Sequence, residues 1–188
     1  MSMHDDFRVF NPARSRFGLV LAILLVNLPC TGILAAPEGP RLGKPATDLE
    51  IAGQDISVFP NGDGLPPGKG SAGAGKLIYE GQCAACHGIR GSGGSAGELA
   101  GNSKLSGPHP DQTIGNYWPY ATTVFDFIRR SMPLNAPRSL SDDQVYAVTA
   151  YLLHINGIIE EGTEMNQETL PAIKMPNTEG FIRVWQKE

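Results

Sequence analysis

The sequence contains little positive charge and few cysteines. Its 188 residues include 15 Lys and Arg against 19 Asp and Glu, and only three Cys. Residues 1–35 hold three of the basic and two of the acidic side chains, so the remaining 12 basic and 17 acidic side chains give a formal charge of −5. An acidic chain without a basic patch is a poor partner for nucleic-acid phosphates or for an anionic membrane surface. The composition favours a protein or a small redox molecule as the partner, and no nucleic acid.

The chain also lacks an apolar run long enough to span a bilayer. Residues 17–26 are uncharged and apolar, but even when extended to residue 28 the run is shorter than the roughly 20 residues of a transmembrane helix. It follows a segment with three arginines, which is the order found in export signals. We expect residues 1–36 to be this signal, cleaved near Ala35 or Ala36 so that no stable membrane insertion remains. Retention as an anchor is the alternative, because a bulky residue stands where the cleavage site prefers a small one.

Two of the cysteines lie in Cys83-Ala-Ala-Cys86-His87, the C-x-x-C-H pattern of covalent c-type haem attachment. Two thiols at this spacing reach both vinyl groups of a porphyrin from one turn, and the histidine becomes the proximal iron ligand. Thioredoxin-like sites, zinc half-sites and disulfides also use C-x-x-C, but the following histidine belongs to the haem pattern. The remaining cysteine, Cys30, falls in the export signal. The sequence predicts one covalent haem c.

Export and haem attachment support each other, because attachment of this kind takes place outside the cytoplasmic membrane. We therefore predict a periplasmic protein. Composition divides the exported chain into three parts. Residues 37–72 are rich in Pro, Gly, Asp and Ser and predict an extended arm, either a flexible tether or a segment laid across a partner. Residues 73–160 form the haem domain, and residues 161–188 form an irregular extension that packs on this domain or on a partner.

Three segments of the haem domain have helical patterns, namely residues 75–82, 121–130 and 140–155, and they predict an all-α fold. The last is the strongest. Ser141 can cap its N-terminus, and Asn156-Gly157 ends it. Its apolar residues recur at the spacing of one buried face: Val145, Val148, Tyr151, Leu152 and Ile155.

These elements resemble the class I c-type cytochromes, in which a helix before the haem motif crosses the last helix at a small residue. The resemblance implies that Gly75 and Tyr79 meet Tyr151. It also implies that His87 donates its second ring nitrogen to a loop carbonyl, for which residues 97–101 and residues 106–108 are both candidates.

The class I resemblance also implies a methionine as the sixth iron ligand. Met132, in a Met-Pro pair just before the last helix, occupies the usual place, and Met175 is the alternative. Met165 and His109 are weaker candidates. A thioether favours reduced iron and suits electron transfer. A His and Met ligand set leaves no position for substrate and argues against catalysis by this chain.

Longer phrases carry a more specific resemblance. They are Gly43–Thr47, Gly64–Gly70, Tyr117–Thr123, Ile128–Pro133, Val145–Leu153 and Lys174–Asn177. Together they resemble the cytochrome c subunits of molybdenum-containing sulfite or sulfane dehydrogenases of the bacterial thiosulfate-oxidising system. The resemblance implies that a molybdenum-containing catalytic subunit supplies the electrons and that a soluble cytochrome accepts them.

Some members of that family carry a second haem domain, whereas this sequence has one motif. Trp118, Tyr120 and Arg129 are expected in the haem pocket, with Arg130 as a further propionate or docking residue. Two other functions stay open. The chain could be a free-standing electron shuttle or the partner of another periplasmic dehydrogenase, or it could itself be an enzyme with an open sixth position.

Overall fold

The computed structural model describes residues 42–182 and Val184. The predicted export signal, with Cys30, lies outside the described residues. The chain divides into two units, Met1–Pro45 and Ala46–Glu188, and the second contains every element below. These are α1 (Asp48–Gln54), β1 (Lys69–Ser71), α2 (Ala72–Gln82), α3 (Ala84–His87), α4 (Ala121–Ser131), α5 (Asp142–Ile155) and β2 (Glu164–Asn166). Within the described range, none of these helices has the length and apolarity to cross a bilayer.

The three predicted helices are confirmed as α2, α4 and α5, with α2 starting three residues earlier than the sequence suggested. Ser71 caps α2 by accepting a hydrogen bond from the backbone N–H of Ala74. Ser141 and Gln144 form a reciprocal capping box at the start of α5, which satisfies backbone donors that the first turn leaves unpaired. Nine consecutive residues of α5, 145–153, are buried, so this helix is the centre of the core.

Helices α2 and α5 cross at Gly75, as the class I resemblance implied. A Cβ atom at Gly75 would collide with the carbonyl group of Ala147 and lie 2.9 Å from Cβ of Tyr151. The rings of Tyr79 and Tyr151 pack beside this crossing with their centroids 5.1 Å apart. The missing side chain therefore allows the two backbones to approach closely.

The fold departs from an all-helical arrangement in a small antiparallel sheet. Strand β1 pairs with β2, and Gly70 lies opposite Met165. Gly70 also lies against the backbone of Ala147 in α5, where a Cβ atom would clash. A glycine is needed for the strand to reach the helix, and the sheet joins the segment before α2 to the C-terminal extension.

Residues on both sides of the helical domain are part of its core. In the interval predicted as an arm, Val58 and Leu65 are buried, and the hydroxyl of Tyr146 donates to the carbonyl of Pro66 over 3.0 Å. The same interval contains α1, which buries no residue. In the C-terminal extension, Met165, Leu170 and Met175 are fully buried. Both segments thus pack on the haem domain, through apolar side chains that a tether would not need.

Candidate haem-binding site

The two cysteines of the motif lie at the single turn α3, which contains Cys86 and directly follows Cys83. Cys83 is half-buried and Cys86 is exposed, and both are free thiols. The backbone N–H of His87 donates to the carbonyl of Cys83 over 3.0 Å, and the N–H of Ala96 donates to the carbonyl of Cys86 over 2.8 Å. Burial, followed by the proximity of Cys86, raises the pKa of Cys83 to about 11. The turn holds both thiols and the histidine within five consecutive residues.

His87 is oriented by a backbone carbonyl. Its Nδ1 atom lies 2.9 Å from the carbonyl oxygen of Gly97. Because a carbonyl oxygen only accepts, Nδ1 is the protonated nitrogen, and Nε2 keeps its lone pair for a metal. The structure therefore assigns the carbonyl to residues 97–101, one of the two loops that the sequence left open, rather than to residues 106–108.

Residues 96–101, here called the proximal loop, are fixed at several points. Backbone N–H groups of Leu99 and Ala100 donate to the carbonyl of Gly91 over 2.8 and 3.0 Å. Glu98 accepts from the N–H of Gly93 over 3.1 Å through one carboxylate oxygen. Its other carboxylate oxygen is buried and has no hydrogen-bond partner among the described residues. The loop is thus built around the carbonyl that His87 contacts.

Asn156, the residue that ends α5, is a third attachment point of the proximal loop. Its Nδ2 donates to the carbonyls of Leu99 and Leu152 over 3.1 and 2.8 Å, and its Oδ1 accepts from the N–H of Gly101 over 3.0 Å. The sequence identified Asn156 only as a helix terminator. The one signal in the sequence for a contact with the loop is a short polar side chain at a helix end. The loop residues that Asn156 contacts lie 55 to 57 residues away.

The two methionine candidates lie in different environments. Met132 directly follows α4, its N–H donates to the carbonyl of Ile128 over 3.0 Å, and its side chain is partly exposed at the edge of the core. The Met132–Pro133 peptide bond is cis. Met175 is 1% exposed and belongs to the core. Met165 is likewise buried there, whereas His109 is exposed.

Trp118 and Tyr120 lie around the start of α4. The Trp118 ring packs edge-on against Phe127 with centroids 5.7 Å apart, and Phe127 remains 45% exposed. Tyr120 directly precedes α4 and forms an isolated β-bridge with Lys174. Both partly exposed rings lie just before α4, the helix that leads to Met132.

The two arginines of α4 are engaged in ion pairs. Arg129 donates to a carboxylate oxygen of Asp142 over 3.2 Å and to the carbonyl of Ile56 over 3.3 Å. Arg130 makes two hydrogen bonds to Asp126, of 2.8 and 2.9 Å. Among the described residues, none of these partners belongs to the haem motif. Sequence reasoning had missed that Arg129 links α4 to α5 and to the preceding segment, and that Arg130 is paired within α4.

Asp126 completes this contact by binding the segment before β1. One of its carboxylate oxygens accepts the N–H of Val58 over 2.9 Å, while the carboxylate also holds Arg130. The hydrophobic side chain of Val58 is buried beside it. The residues between α1 and β1 are therefore fastened to the helix that ends at Met132.

The residues present fit a covalently bound haem. Two free thiols and an imidazole with an available Nε2 lie within five consecutive residues. Among the described residues, the one group hydrogen-bonded to that imidazole is the backbone carbonyl of Gly97. Across the described residues, no three His, Cys, Asp or Glu side chains gather as they would around a bare metal ion. Thiols, one imidazole and a thioether form a donor set typical of a c-type haem.

Comparisons with known proteins agree with a covalently bound haem c. The family model described as "Cytochrome c" matches residues 72–156. A thiosulfate dehydrogenase of Allochromatium vinosum is 35% identical over 95 residues, covering 47% of this chain and 33% of that protein. The chain thus spans about a third of the length of that curated relative.

A solved structure extends the similarity over more of the chain. The crystal structure of the sulfane dehydrogenase SoxCD from Paracoccus pantotrophus contains a chain that is 41% identical to this one, with a TM-score of 0.70. The match covers 76% of this chain and 71% of that chain. This chain therefore belongs to the cytochrome c family and is similar, over 76% of its length, to a chain of a sulfane dehydrogenase.

Proposed function

We propose that the protein is a periplasmic single-haem cytochrome c that accepts electrons from a molybdenum-containing sulfite or sulfane dehydrogenase and passes them to a soluble cytochrome. The observation that carries this proposal is the 41% identity to a chain of the sulfane dehydrogenase SoxCD over 76% of this sequence. The acidic balance of the chain, 15 basic against 19 acidic residues, supports a protein partner over nucleic acid.

Each residue of the site has a separate task in this proposal. Cys83 and Cys86 hold the porphyrin through thioether bonds, and His87 ligates the iron through Nε2 while Nδ1 donates to Gly97. When bound, haem c supplies a one-electron couple of the iron. Met132 is the sixth ligand.

Accessibility supports Met132 over Met175 in this role. The partly exposed side chain of Met132 can turn towards a group bound at the core edge, whereas Met175 would have to leave a packed interior where it is 1% exposed. Withdrawing a buried methionine opens a cavity, which costs about 2–5 kcal/mol for removal of a side chain of this size. A neutral thioether then closes the sixth position.

Trp118 and Tyr120 are proposed to line the haem pocket from the start of α4, where both rings remain partly exposed. Arg129 is proposed as a haem-pocket residue because it lies on α4. Its guanidinium contacts Asp142 and Ile56, so its position alone supports this role. Arg130 shares that helix, and its guanidinium is held by Asp126.

The experiment that tests the proposal is reconstitution with the partner. The haem-loaded chain is mixed with a molybdenum-containing sulfite or sulfane dehydrogenase subunit from the same genome, and haem reduction is followed after sulfite or a sulfane-sulfur substrate is added. We expect reduction only when both proteins and the substrate are present. Chemically reducible haem that stays oxidised with every sulfur substrate would overturn the partner assignment and leave the haem assignment intact.

A second candidate function is supported by the similarity to a thiosulfate dehydrogenase over 95 residues. In this alternative the chain is itself part of an enzyme, with an open or weakly held sixth position. The near-red absorption band of ferric haem ligated by methionine separates the two. Its presence in the isolated protein supports electron transfer, whereas its absence together with thiosulfate oxidation by the isolated chain supports the enzyme.

A further inference from the structure

Asn156 lies at the only point where the end of α5 meets the proximal loop through side-chain hydrogen bonds among the described residues. Its amide contacts Leu99 and Gly101, which follow Gly97 by two and four residues. It also contacts Leu152, one turn back in α5. One planar amide therefore joins the most buried helix of the fold to the loop whose carbonyl receives the proton of His87.

The two halves of the amide are used in full. Nδ2 has two hydrogens, and both are donated, to the carbonyls of Leu99 and Leu152; Oδ1 accepts the N–H of Gly101. No other short side chain supplies two donors and an acceptor in one plane. Aspartate has the same shape but no donor, so it would face two carbonyl oxygens with a carboxylate.

Close packing leaves the proximal loop little freedom beside this amide. A Cβ atom at Gly115 would lie 2.6 Å from Oδ1 of Asn156 and would also collide with the carbonyl oxygen of Gly101. The hydroxyl of Thr113 donates to that same carbonyl. Gly101 is thus held on its N–H by Asn156 and on its carbonyl by Thr113.

We propose that Asn156 is a positioning residue for the proximal ligand, which lowers the haem potential by holding the Gly97 carbonyl against Nδ1 of His87. The proposal rests on His87 being the iron ligand, as proposed above. A strong hydrogen bond from Nδ1 makes the imidazole a better electron donor to iron and favours the oxidised state. If the loop loosens, the hydrogen bond weakens. The reduced state is then more stable relative to the oxidised state, and the midpoint potential rises.

The test is a redox titration of the haem-loaded Asn156→Ala variant. Alanine adds no charge, so a change in potential does not arise from a new charge near the iron. We expect a higher midpoint potential, equivalent to a rise on the order of threefold in the ferrous-to-ferric ratio at fixed poise, or about 28 mV for one electron. The near-red band of the methionine ligand should remain, because the change lies on the His87 side.

Asn116 offers a matched control. Its Nδ2 donates to the carbonyls of Ser103 and Asp111, each over 2.9 Å, and its Oδ1 accepts the N–H of Thr113 over 2.9 Å. It makes as many hydrogen bonds as Asn156, but none to residues 96–101, which it reaches only through Thr113. Asn116→Ala should lose stability with a much smaller change in potential. Equal shifts in both variants would mean general loosening and would overturn the proposal.

Gly115→Ala provides a second probe if Asn156→Ala does not take up haem. It leaves every hydrogen-bonding group in place but pushes against Asn156 and Gly101, and it should raise the midpoint potential in the same direction. An unchanged or lower potential in Asn156→Ala, or in Gly115→Ala where Asn156→Ala takes up no haem, would refute the positioning role. Because the titration uses the cytochrome alone, its outcome is independent of which dehydrogenase supplies the electrons.

Discussion

On the proximal side of the site, His87 meets a loop whose position is set by hydrogen bonds to α3, to Gly91 and to the end of α5. On the proposed distal side, Met132 follows α4, and no polar group of its side chain fixes it. That side is held instead through the helix, by the Asp126 contacts to Arg130 and Val58. A histidine is directional and needs an aligned acceptor, whereas a thioether ligand needs mainly a packed and accessible position.

The largest expected effect separates the two methionines. In Met132→Leu, the near-red charge-transfer band and the methionine-ligated low-spin spectrum should be lost completely, because leucine has no ligand atom. Met175→Leu is the matched variant and should keep both, with a stability change under about 1.5 kcal/mol because the volume is conserved. Optical spectra of the ferric proteins measure this. Loss of the band in the Met175 variant alone would reverse the assignment.

A second prediction concerns the helix crossing behind the proximal side. Gly75→Ala places a methyl group against the carbonyl of Ala147 and should lower the free energy of unfolding by about 1–3 kcal/mol or more. Gly73→Ala, in the same helix but with open space around the added Cβ, should raise it by about 0.5–1 kcal/mol. Denaturant titration of both haem-loaded variants measures the difference. Equal effects would contradict the tight crossing.

A third prediction concerns a variant that should loosen only the distal side. Asp126→Ala removes the acceptor of Arg130 and of the Val58 N–H, which should cost about 1–3 kcal/mol because a hydrogen-bonded charge is left without its partner. Added imidazole should displace Met132 more readily, as seen in the loss of the near-red band. Glu179→Ala, at an exposed acidic position, should change stability by no more than about 0.5 kcal/mol. Unchanged imidazole binding in the Asp126 variant would show that the helix does not hold Met132.

The smallest expected effect belongs to Tyr79, whose hydroxyl donates to the carbonyl of Gly88 over 2.9 Å. Tyr79→Phe keeps the ring and should cost about 1 kcal/mol. Burial raises the pKa of Tyr79 to about 12, above its ordinary value near 10. The contribution of Tyr79 to the free energy of unfolding is therefore complete below pH 10 and is lost as the pH rises towards 12. The phenylalanine variant should lose less stability over that interval; identical alkaline profiles would contradict this.

The contrast between the two sides also explains what the sequence could predict. The haem motif and the capped helix α5 are local patterns, and both were read directly from contiguous residues. Gly75 at the helix crossing followed from the class I resemblance and is confirmed by the structure. The choice of Gly97 as the His87 acceptor needed the fold, because both candidate loops follow the motif and contain glycine, and neither sequence shows which carbonyl meets the ring.

Contacts between distant residues were not predictable in the same way. Asp126 and Val58 are 68 residues apart, and Asn156 and Gly101 are 55 apart. Asp126 lies inside α4 and Asn156 lies at the end of α5, and both look like ordinary surface residues when their partners are unknown. The β1–β2 pair was missed because each strand has three residues, too few to show an alternating pattern. Export, cleavage and the soluble electron acceptor stay predictions.

The most direct test of the account is mass spectrometry of the protein produced with an intact haem-maturation pathway. We predict that the mature chain carries the added mass of one haem, and that the peptide containing Cys83, Cys86 and His87 bears it. A full-length chain with no added haem mass, or with both cysteines free or joined in a disulfide, would contradict the central claim that this turn holds a covalent haem.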